Sequence, residues 1–207
     1  MKKFELTSEF VTFLGKKLFR IKALISFGNV KEGELGGFVE KEENLDQSGN
    51  AWVYGNAWVY GDAWVFGNAW VYGDAWVFGN ARVYGDAWVS GDAWVYGDAW
   101  VYGDAWVYGD ARVSGDARVS GDAEVYGDAR VSGNADYATV QGFGSGYRTT
   151  TFFRTKAGDI GVRCGCFYGT LEEFRTKVKE THKETKTAKE YLMVADLMEF
   201  RFLKEEV

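Results

Sequence analysis

The sequence predicts a mainly β protein organised around a parallel β-solenoid, on three observations. Residues 49–138 consist of fifteen tandem six-residue units with no insertion or deletion; fourteen have the form Gly-(Asp/Asn)-Ala-x-Val-(Tyr/Ser/Phe), and the last, residues 133–138, has decayed from it. A fixed short period without helical spacing is typical of a solenoid in which each unit supplies one short strand. Proline is absent from the chain, which suits an uninterrupted ladder of backbone hydrogen bonds.

Each unit divides its side chains between an interior and a surface. Neighbouring residues of a strand point to opposite sides, so valine faces one way and its two flanking residues face the other. Glycine followed by Asp or Asn forms the corner because these residues tolerate positive φ, and alanine then turns inward. We expect Val53, Val59, Val65 and their successors inside, and every tryptophan outside.

The valine and the alanine four residues after it resemble the hexapeptide repeat of left-handed parallel β-helix proteins, the fold of many bacterial acyltransferases. The resemblance implies left-handed coiling, a triangular coil of three units and about five coils, with residues eighteen apart stacked. The x residues then form three columns: Trp52, Trp70, Trp88, Trp106 and Glu124; Trp58, Trp76, Trp94, Arg112 and Arg130; and Trp64, Arg82, Trp100, Arg118 and Asp136.

The flanking sequences resemble a second group, the hexapeptide-repeat proteins of bacteria and their phages. Residues 33–60, beginning Gly-Glu-Leu-Gly-Gly-Phe-Val-Glu, are similar to the opening of such proteins. Residues 145–203, with Arg-Thr-Thr-Thr-Phe-Phe at 148–153 and Cys-Gly-Cys-Phe-Tyr-Gly-Thr-Leu-Glu-Glu-Phe at 164–174, resemble a small C-terminal module of prophage-type proteins. This branch is distant from the acyltransferases, and the resemblance implies a mobile-element origin without bringing an activity.

We expect three parts in the chain. Residues 1–48 form an N-terminal β cap with strands over Phe4–Leu14 and Leu18–Ile25, because an open solenoid end would expose unpaired backbone groups. Residues 49–138 form the β-helix. Residues 139–207 form an α+β module with a hairpin over 148–154 and 160–168.

Two helices complete the C-terminal module. Capping boxes at Thr170–Glu173 and Thr187–Glu190 open them, and the second helix covers 191–203. This helix is apolar around most of its girth, so we expect it to be deeply buried or to pair with another chain.

Composition restricts the function classes. The formal net charge of the chain is −6, and the solenoid alone carries four arginines against twelve carboxylates, or about −8, so direct DNA binding is not expected. No apolar run is long enough for a membrane span, and the first residues lack a signal-peptide core. Two cysteines without a disulfide framework fit a reducing compartment, so we expect a cytoplasmic protein, in the host cytoplasm if phage-encoded.

The sequence gives little support for an enzyme. Acyltransferases of the resembling fold use a histidine base near a subunit boundary and a loop that shapes the site, whereas this chain has one histidine, His182, in a charged segment expected to be solvated. Cys164 and Cys166 would share one strand face, but a structural zinc needs four ligands. We expect no catalytic residue, no metal and no cofactor.

Two surpluses point to a binding surface. Asn56, Asn68 and Asn80 show that Asn suffices at the corner, yet units seven to fourteen all carry Asp. Nine tryptophans would also expose more apolar area than a monomer usually shows. Arg82, placed between Trp64 and Trp100, would cover part of that area through cation–π contacts. The candidate binding residues are Trp88, Trp94, Trp100, Trp106, Arg112, Arg118, Arg130, Asp92, Asp110 and Asp128.

The favoured hypothesis is a non-enzymatic, phage- or prophage-encoded protein whose aromatic and acidic surface binds or inhibits a host protein with a basic surface. Counter-defence and nucleic-acid mimicry are two forms that this activity could take. The alternatives are a sponge for a nucleotide-like small molecule, held by tryptophan and arginine, an acyltransferase descendant, and a self-assembling structural protein. A homo-oligomer, either dimer or trimer, is expected in each case, with aromatic columns or the last helix at the contact.

Overall fold

The computed structural model describes residues 1–202, and Leu203, the predicted end of the last helix, lies outside them. Within the described residues the order of elements is as follows: β1 Phe4–Phe13, β2 Lys16–Ala23, β3 Leu35–Val39, a 3₁₀ turn Glu42–Asn44, β4 Trp52–Val53, β5 Trp58–Val59, β6 Trp64–Val65, β7 Trp70–Val71, β8 Trp76–Val77, β9 Arg82–Val83, β10 Trp88–Val89, β11 Trp94–Val95, β12 Trp100–Val101, β13 Trp106–Val107, β14 Arg112–Val113, β15 Arg118–Val119, β16 Glu124–Val125, β17 Arg130–Val131, β18 Tyr137–Val140, β19 Thr150–Arg154, β20 Ile160–Cys164, β21 Phe167–Thr170, α1 Leu171–His182 and α2 Lys186–Phe202.

The two-residue strands form a triangular solenoid of about five coils. One parallel sheet contains β4, β7, β10, β13 and β16, a second contains β5, β8, β11, β14 and β17, and a third contains β6, β9, β12 and β15. Paired residues are eighteen apart, as in Trp70 with Trp88 and Trp76 with Trp94. The predicted fold class is confirmed, and so are the three columns up to residue 130.

The interior consists of stacked valine and alanine. Every valine from Val53 to Val131 and every alanine from Ala51 to Ala129 is buried. The expectation that every tryptophan lies outside is wrong for Trp52, which is fully buried. Trp52 does point away from the valine interior, but Phe4 and Phe27 cover it, with ring centroids 6.1 and 5.4 Å away.

The N-terminal strands extend the second sheet, and β3 pairs with β5, the first solenoid strand of that sheet. The sheet order is β1-β2-β3-β5, antiparallel until β3, which runs parallel to β5. Phe38 pairs with Trp58 and Leu45 with Val65, an offset of twenty residues rather than eighteen. Asn44 Nδ2 donates to the carbonyl oxygens of Gly61 and Ala63 at 3.0 and 2.8 Å. Coil-like pairing therefore begins before the first regular repeat.

A buried lysine gives the N-terminal region a pH dependence. Lys3 is 2 % exposed, and its Nζ donates to the carbonyl oxygens of Ser48 and Ala51 at 3.2 and 2.9 Å. Burial lowers the pKa of Lys3 from 10.5 to about 8, against a smaller raising effect of Asp46. Below pH 8 the folded and the unfolded chain both hold the proton of Lys3, and the cost of burying the ammonium group is fully present in the folded state.

Between the folded pKa of about 8 and the unfolded value of 10.5, only the unfolded chain binds this proton, so the free energy of unfolding should rise with pH. We expect the melting temperature to increase between pH 8 and about 10, and Lys3→Met to remove that increase. Higher pH is avoided, because burial raises the pKa of Tyr108 to about 12 and such tyrosines reverse the slope. An equal slope in the variant would contradict this assignment.

The fifteenth unit leaves the solenoid, so the placement of Asp136 in the third column is wrong. Tyr137 occupies the valine position of this unit and pairs antiparallel with Phe153. The Asp136 carboxylate instead accepts hydrogen bonds from the backbone N–H groups of Ser132 and Gly133 at 2.9 and 3.1 Å. A tyrosine is too large for an interior otherwise built of valine and alanine.

The C-terminal module closes the far end of the solenoid. Phe153 of β19 is fully buried in the same cluster as the stacked valines, while its neighbour Phe152 belongs to the separate core under the helices. Glu124 of β16 donates its backbone N–H to Thr151 Oγ1 at 3.0 Å, and its carboxylate receives Arg163 Nε at 2.7 Å. The last polar residue of the first column therefore anchors the module.

The structure of this module confirms one sequence prediction and corrects two. The capping box at Thr170 is confirmed, with Thr170 Oγ1 accepting from the Glu173 N–H at 3.2 Å. The strand over 160–168 is wrong, because the chain turns at Gly165 and Cys166, so the two cysteines do not share a strand face. The second helix begins at Lys186 rather than after Thr187, and Thr185 Oγ1 accepts from the Ala188 N–H at 3.3 Å.

Candidate binding surface

The corners of the solenoid build three columns of Asn and Asp side chains. Each corner glycine from Gly49 to Gly127 has positive φ; at Gly97 it is 71°, and an added Cβ would lie 3.0 Å from the backbone nitrogen of Gly115. Corners therefore stack closely, and the side chains beside them align. The columns are Asn50, Asn68, Asp86, Asp104 and Asp122; Asn56, Asp74, Asp92, Asp110 and Asp128; and Asp62, Asn80, Asp98 and Asp116.

Asparagine links each column, and aspartate breaks the link. Asn50 Nδ2 donates to Asn68 Oδ1 at 3.0 Å, and Asn68 Nδ2 donates to Asp86 Oδ1 at 3.1 Å. Asn80 donates in the same way to Asp98 at 2.9 Å. A carboxylate has no proton to pass on, so the chain of hydrogen bonds ends at the first Asp after an Asn.

Four exposed carboxylates of the corner columns remain without a donor among residues 1–202. Their side chains accept no hydrogen bond and form no ion pair with any described residue; they are Asp92, Asp104, Asp110 and Asp116. At the ends, Asp122 accepts from Gln141 Nε2 and Thr149 Oγ1 at 3.3 Å, and Asp128 accepts from the Tyr168 hydroxyl at 3.4 Å. The uncompensated charge therefore lies in the middle of the prism.

The tryptophan columns stack on themselves. Centroids of Trp58 and Trp76 are 4.9 Å apart, and those of Trp76 and Trp94 are 4.8 Å apart with planes 1° from parallel. Trp70, Trp88 and Trp106 repeat this at 5.3 and 4.9 Å. Within each stack, successive rings therefore cover one another's faces. A nucleobase would need about 7 Å between two rings, which backbone strands about 4.8 Å apart do not allow.

Arginine covers the remaining ring faces, in a different arrangement from the predicted one. Arg82 lies over Trp100 at 5.1 Å, but Trp64 stacks on Phe66 at 4.1 Å, so Arg82 is not held between two tryptophans. Trp100 is instead the middle of a sandwich, because Arg118 lies 4.8 Å from its other side in the column. Such cation–π contacts stabilise the column without any ligand.

Two predicted binding arginines are already engaged. The Arg112 guanidinium lies 3.5 Å from the Trp94 ring centroid, and burial, followed by repulsion from Arg130, lowers the pKa of Arg112. Arg130 Nη1 donates to the backbone carbonyls of Asp110, Asp128 and Ala129 at 3.0, 3.1 and 2.8 Å. Arg130 therefore fixes a corner, and it has little capacity left for a ligand.

The ten predicted binding residues lie on three faces, so they do not form one site. Trp88 and Trp106 belong to the first sheet, and Trp100 and Arg118 belong to the third. Asp92, Trp94, Asp110 and Arg112 are brought together, along one shallow trough beside the second sheet. Asp128 continues the aspartate column beyond them. This trough is the largest subset that the fold unites.

The tryptophan surface is smaller than the sequence suggests. Trp64 and Trp106 are 39 % and 43 % exposed, Trp52 is buried, and the remaining six are half-buried. Phe13 packs edge-on against Trp58 and Trp76 at 5.2 and 5.0 Å. The tryptophans therefore leave less apolar area to be covered by a partner than nine exposed indoles would, and the exposed carboxylates are the more prominent feature of the surface.

The asparagine ladder was not foreseen, although the sequence contains its signal. Once residues eighteen apart are aligned, the first two columns read Asn before Asp without reversal. This order matters because an amide can donate to the next residue and a carboxylate cannot.

Neither α1 nor α2 carries an apolar stretch of the length that crossing a membrane requires.

Comparison with known proteins agrees with this architecture. A family model described as the YdcK beta solenoid repeat matches residues 75–91 and 111–125, both inside the stacked coils. Among curated proteins, no match was found. The matched segments and the three parallel sheets together show that the chain is a β-solenoid repeat protein.

Proposed function

We propose that this protein is a non-enzymatic binding protein whose acidic corner columns dock on a basic surface of a partner protein. The observation that carries the proposal is the run of two neighbouring carboxylates in the second column, Asp92 and Asp110, that accept no hydrogen bond from a described residue. Trp94 and Trp76 flank this run in the same trough and supply apolar contact. Opposite charge at such a surface speeds encounter and selects partners.

Stability does not account for these charges. Two carboxylates about 4.8 Å apart repel each other by about 1 kcal/mol in water. Asparagine at the same place removes that repulsion and donates along the column, as Asn68 does to Asp86 at 3.1 Å. Arg112 attracts Asp92 and Asp110 and offsets part of that repulsion. These two aspartates still accept no hydrogen bond in their column, and a role in binding accounts for the charge at a position where the chain elsewhere uses asparagine.

The proposal predicts the behaviour of the triple variant Asp92→Asn, Asp110→Asn and Asp128→Asn. We expect its melting temperature to be unchanged or raised, and the affinity for the partner to fall on the order of tenfold at low salt. The salt dependence of binding should flatten as well. Tagged wild-type and variant proteins are used to capture partners from bacterial lysate at two salt concentrations, and retained proteins are quantified.

A second triple variant controls for net charge. Glu5, Glu32 and Glu43 are exposed and form no ion pair within residues 1–202, so changing all three to Gln removes the same charge elsewhere. The partner should be kept by wild type and by this control. Equal loss from both variants, or from neither, contradicts docking through the aspartate columns.

The resemblance to prophage-type proteins supports a more specific version of the proposal. A phage-encoded protein would act in the host cytoplasm, and its basic partner would be a host protein that it inhibits. Mimicry of nucleic acid is one way to do so, since the corner charges recur about every 4.8 Å along each column, against roughly 1.7 Å per charge for duplex DNA. Competition by duplex DNA for the captured partner distinguishes mimicry from other docking.

We further propose a homo-oligomer in which α2 contacts a second copy of the chain. Its outer stripe is apolar: Met193, Leu197 and Phe200 are 71 %, 58 % and 75 % exposed. Their spacing of four and three residues places them on one side of the helix. The opposite side of α2 packs into the module through Tyr191, Val194 and Met198, and a single stripe can pair with its own copy across a two-fold axis.

Replacement of Leu197 by Glu should separate the copies. A charge in the middle of the apolar stripe would lose its water on association, which costs several kcal/mol unless it is paired. Light scattering after gel filtration should give a multiple of 23.2 kDa for wild type and 23.2 kDa for the variant. Lys179→Glu, at an exposed position on α1 rather than on α2, should keep the wild-type mass. A monomeric wild type at micromolar concentration would refute this contact.

A further inference from the structure

The C-terminal module contains a cavity that the solenoid function does not use. Its volume is about 470 Å³, within the usual range of small-molecule pockets. Three separate parts of the chain meet there: the loop at 145–148, the turn between β20 and β21, and the facing sides of α1 and α2. His182, expected in a solvated segment, is instead half-buried at the end of α1, with its ring 5.6 Å from that of Tyr191.

The polar groups around this cavity are basic. Arg148, Lys177 and His182 line it, and no Asp or Glu of the described residues does. Arg148 makes no side-chain hydrogen bond or ion pair with residues 1–202, whereas Arg154, Arg163 and Arg175 each form an ion pair and Arg201 donates to the Asn134 carbonyl oxygen at 3.4 Å. Lys177 has one loose contact, 3.7 Å to Glu180 Oε2. The cavity therefore presents cationic donors that lack an anion.

The backbone is shaped to admit these side chains. At Gly165, where φ is 58°, an added Cβ would lie 2.9 Å from Arg148 Nη1. At Gly144, where φ is 76°, an added Cβ would overlap the Tyr191 ring. Glycine at both places leaves room for Arg148 and Tyr191 to line the cavity. Phe167, Phe174 and Val178 form an apolar part of the remaining wall, which also contains Ser145, Thr181 and the two cysteines.

We propose that this cavity binds a small amphipathic anion, a carboxylate or phosphate attached to an apolar body. Arg148 and Lys177 would hold the acidic group, His182 would add a hydrogen bond, and the apolar body would lie against Phe167, Phe174 and Tyr191. Guanidinium and ammonium groups bind carboxylate and phosphate oxygens through charge-assisted hydrogen bonds. This site is independent of the acidic corner columns and would persist if their proposed docking role failed.

The single histidine of the chain allows a direct test by proton NMR of the full-length protein. Phenyl phosphate and benzoate are titrated up to about 10 mM, a range that reveals weak binding. We expect a saturable shift of the His182 ring signals with at least one of them, and the tighter of the two identifies the acidic group. Phenol and inorganic phosphate, which each supply half of the ligand, should bind about tenfold more weakly.

Matched variants separate the site from a general charge effect. Lys177→Gln and Arg148→Gln should each weaken binding about tenfold, the effect of one charge-assisted hydrogen bond. Lys179→Gln, on the same helix but outside the cavity lining, should leave the affinity unchanged. The proposal is overturned if neither anion moves the His182 signals, if phenol binds as tightly as phenyl phosphate, or if Lys177→Gln and Lys179→Gln behave alike.

Discussion

Substitution of Val95 by Asp should unfold the solenoid. Val95 is fully buried at the centre of the second sheet and lies between Val77 and Val113, its partners in the neighbouring coils. A carboxylate there would lie among methyl groups with no hydrogen-bond donor, at a cost of several kcal/mol. A domain of this size has about 5–15 kcal/mol of stability in total, so most of the margin would be lost.

Thermal melting of the intact protein, followed by circular dichroism, and the rate of proteolytic cleavage within residues 49–131 measure the loss of stability. Arg82→Asp is the matched control, because it places the same residue at an exposed position of a solenoid strand. We expect the control to lose about 1 kcal/mol with its contact to Trp100 and to melt close to wild type. Similar melting of the two variants would mean that the valine column is not the structural core.

Substitution of Trp52 by Ala should release the N-terminal region from the solenoid. Trp52 is fully buried between Phe4 and Phe27, and removing a buried tryptophan costs about 3–5 kcal/mol through lost contacts and the cavity left behind. Its indole Nε1 has no acceptor within residues 1–202, so the substitution breaks no hydrogen bond of this side chain. The loss is therefore one of packing.

Hydrogen exchange across residues 1–48 is the informative measurement, together with urea denaturation. The control is Trp106→Ala, three coils away in the same column, where the side chain is 43 % exposed and stacks on Trp88 at 4.9 Å. We expect faster exchange of the N-terminal strands only in Trp52→Ala. Comparable destabilisation by both variants would show that column stacking, rather than burial under Phe4 and Phe27, gives Trp52 its importance.

The repeat itself determined the solenoid. Six-residue units with one valine and one inward alanine predict short strands that bury both, and the resemblance to left-handed β-helix proteins implied the three-unit coil that stacks residues eighteen apart. Glycine recurs because the corners from Gly49 to Gly127 have positive φ, and at most of them an added Cβ would crowd the corner of the next coil. The repeat and that resemblance together predicted the sheets, their register and the columns without reference to the rest of the chain.

The ends of the solenoid were decided by tertiary contacts. Trp52 has the same sequence environment as Trp106, but only Trp52 is covered, because the strands that cover it lie outside the repeat. Asp136 left its column because Tyr137 pairs with Phe153, a residue sixteen positions further along the chain. Tyr137 at a valine position marks the break at Asp136 but does not reveal its new partner, and the unit around Trp52 does not reveal its burial, since both depend on residues that are remote in sequence.

The binding features divide in the same way. The excess of aspartate over what the corner requires was legible in the sequence, since Asn occupies the same position in other units. Which candidates share a trough depended on the three-fold geometry of the coil, which places Trp88, Trp94 and Trp100 on different faces. The cavity around Arg148, Lys177 and His182 had no local signature, because its residues come from three segments that only the packing of α1 and α2 on the sheet brings together.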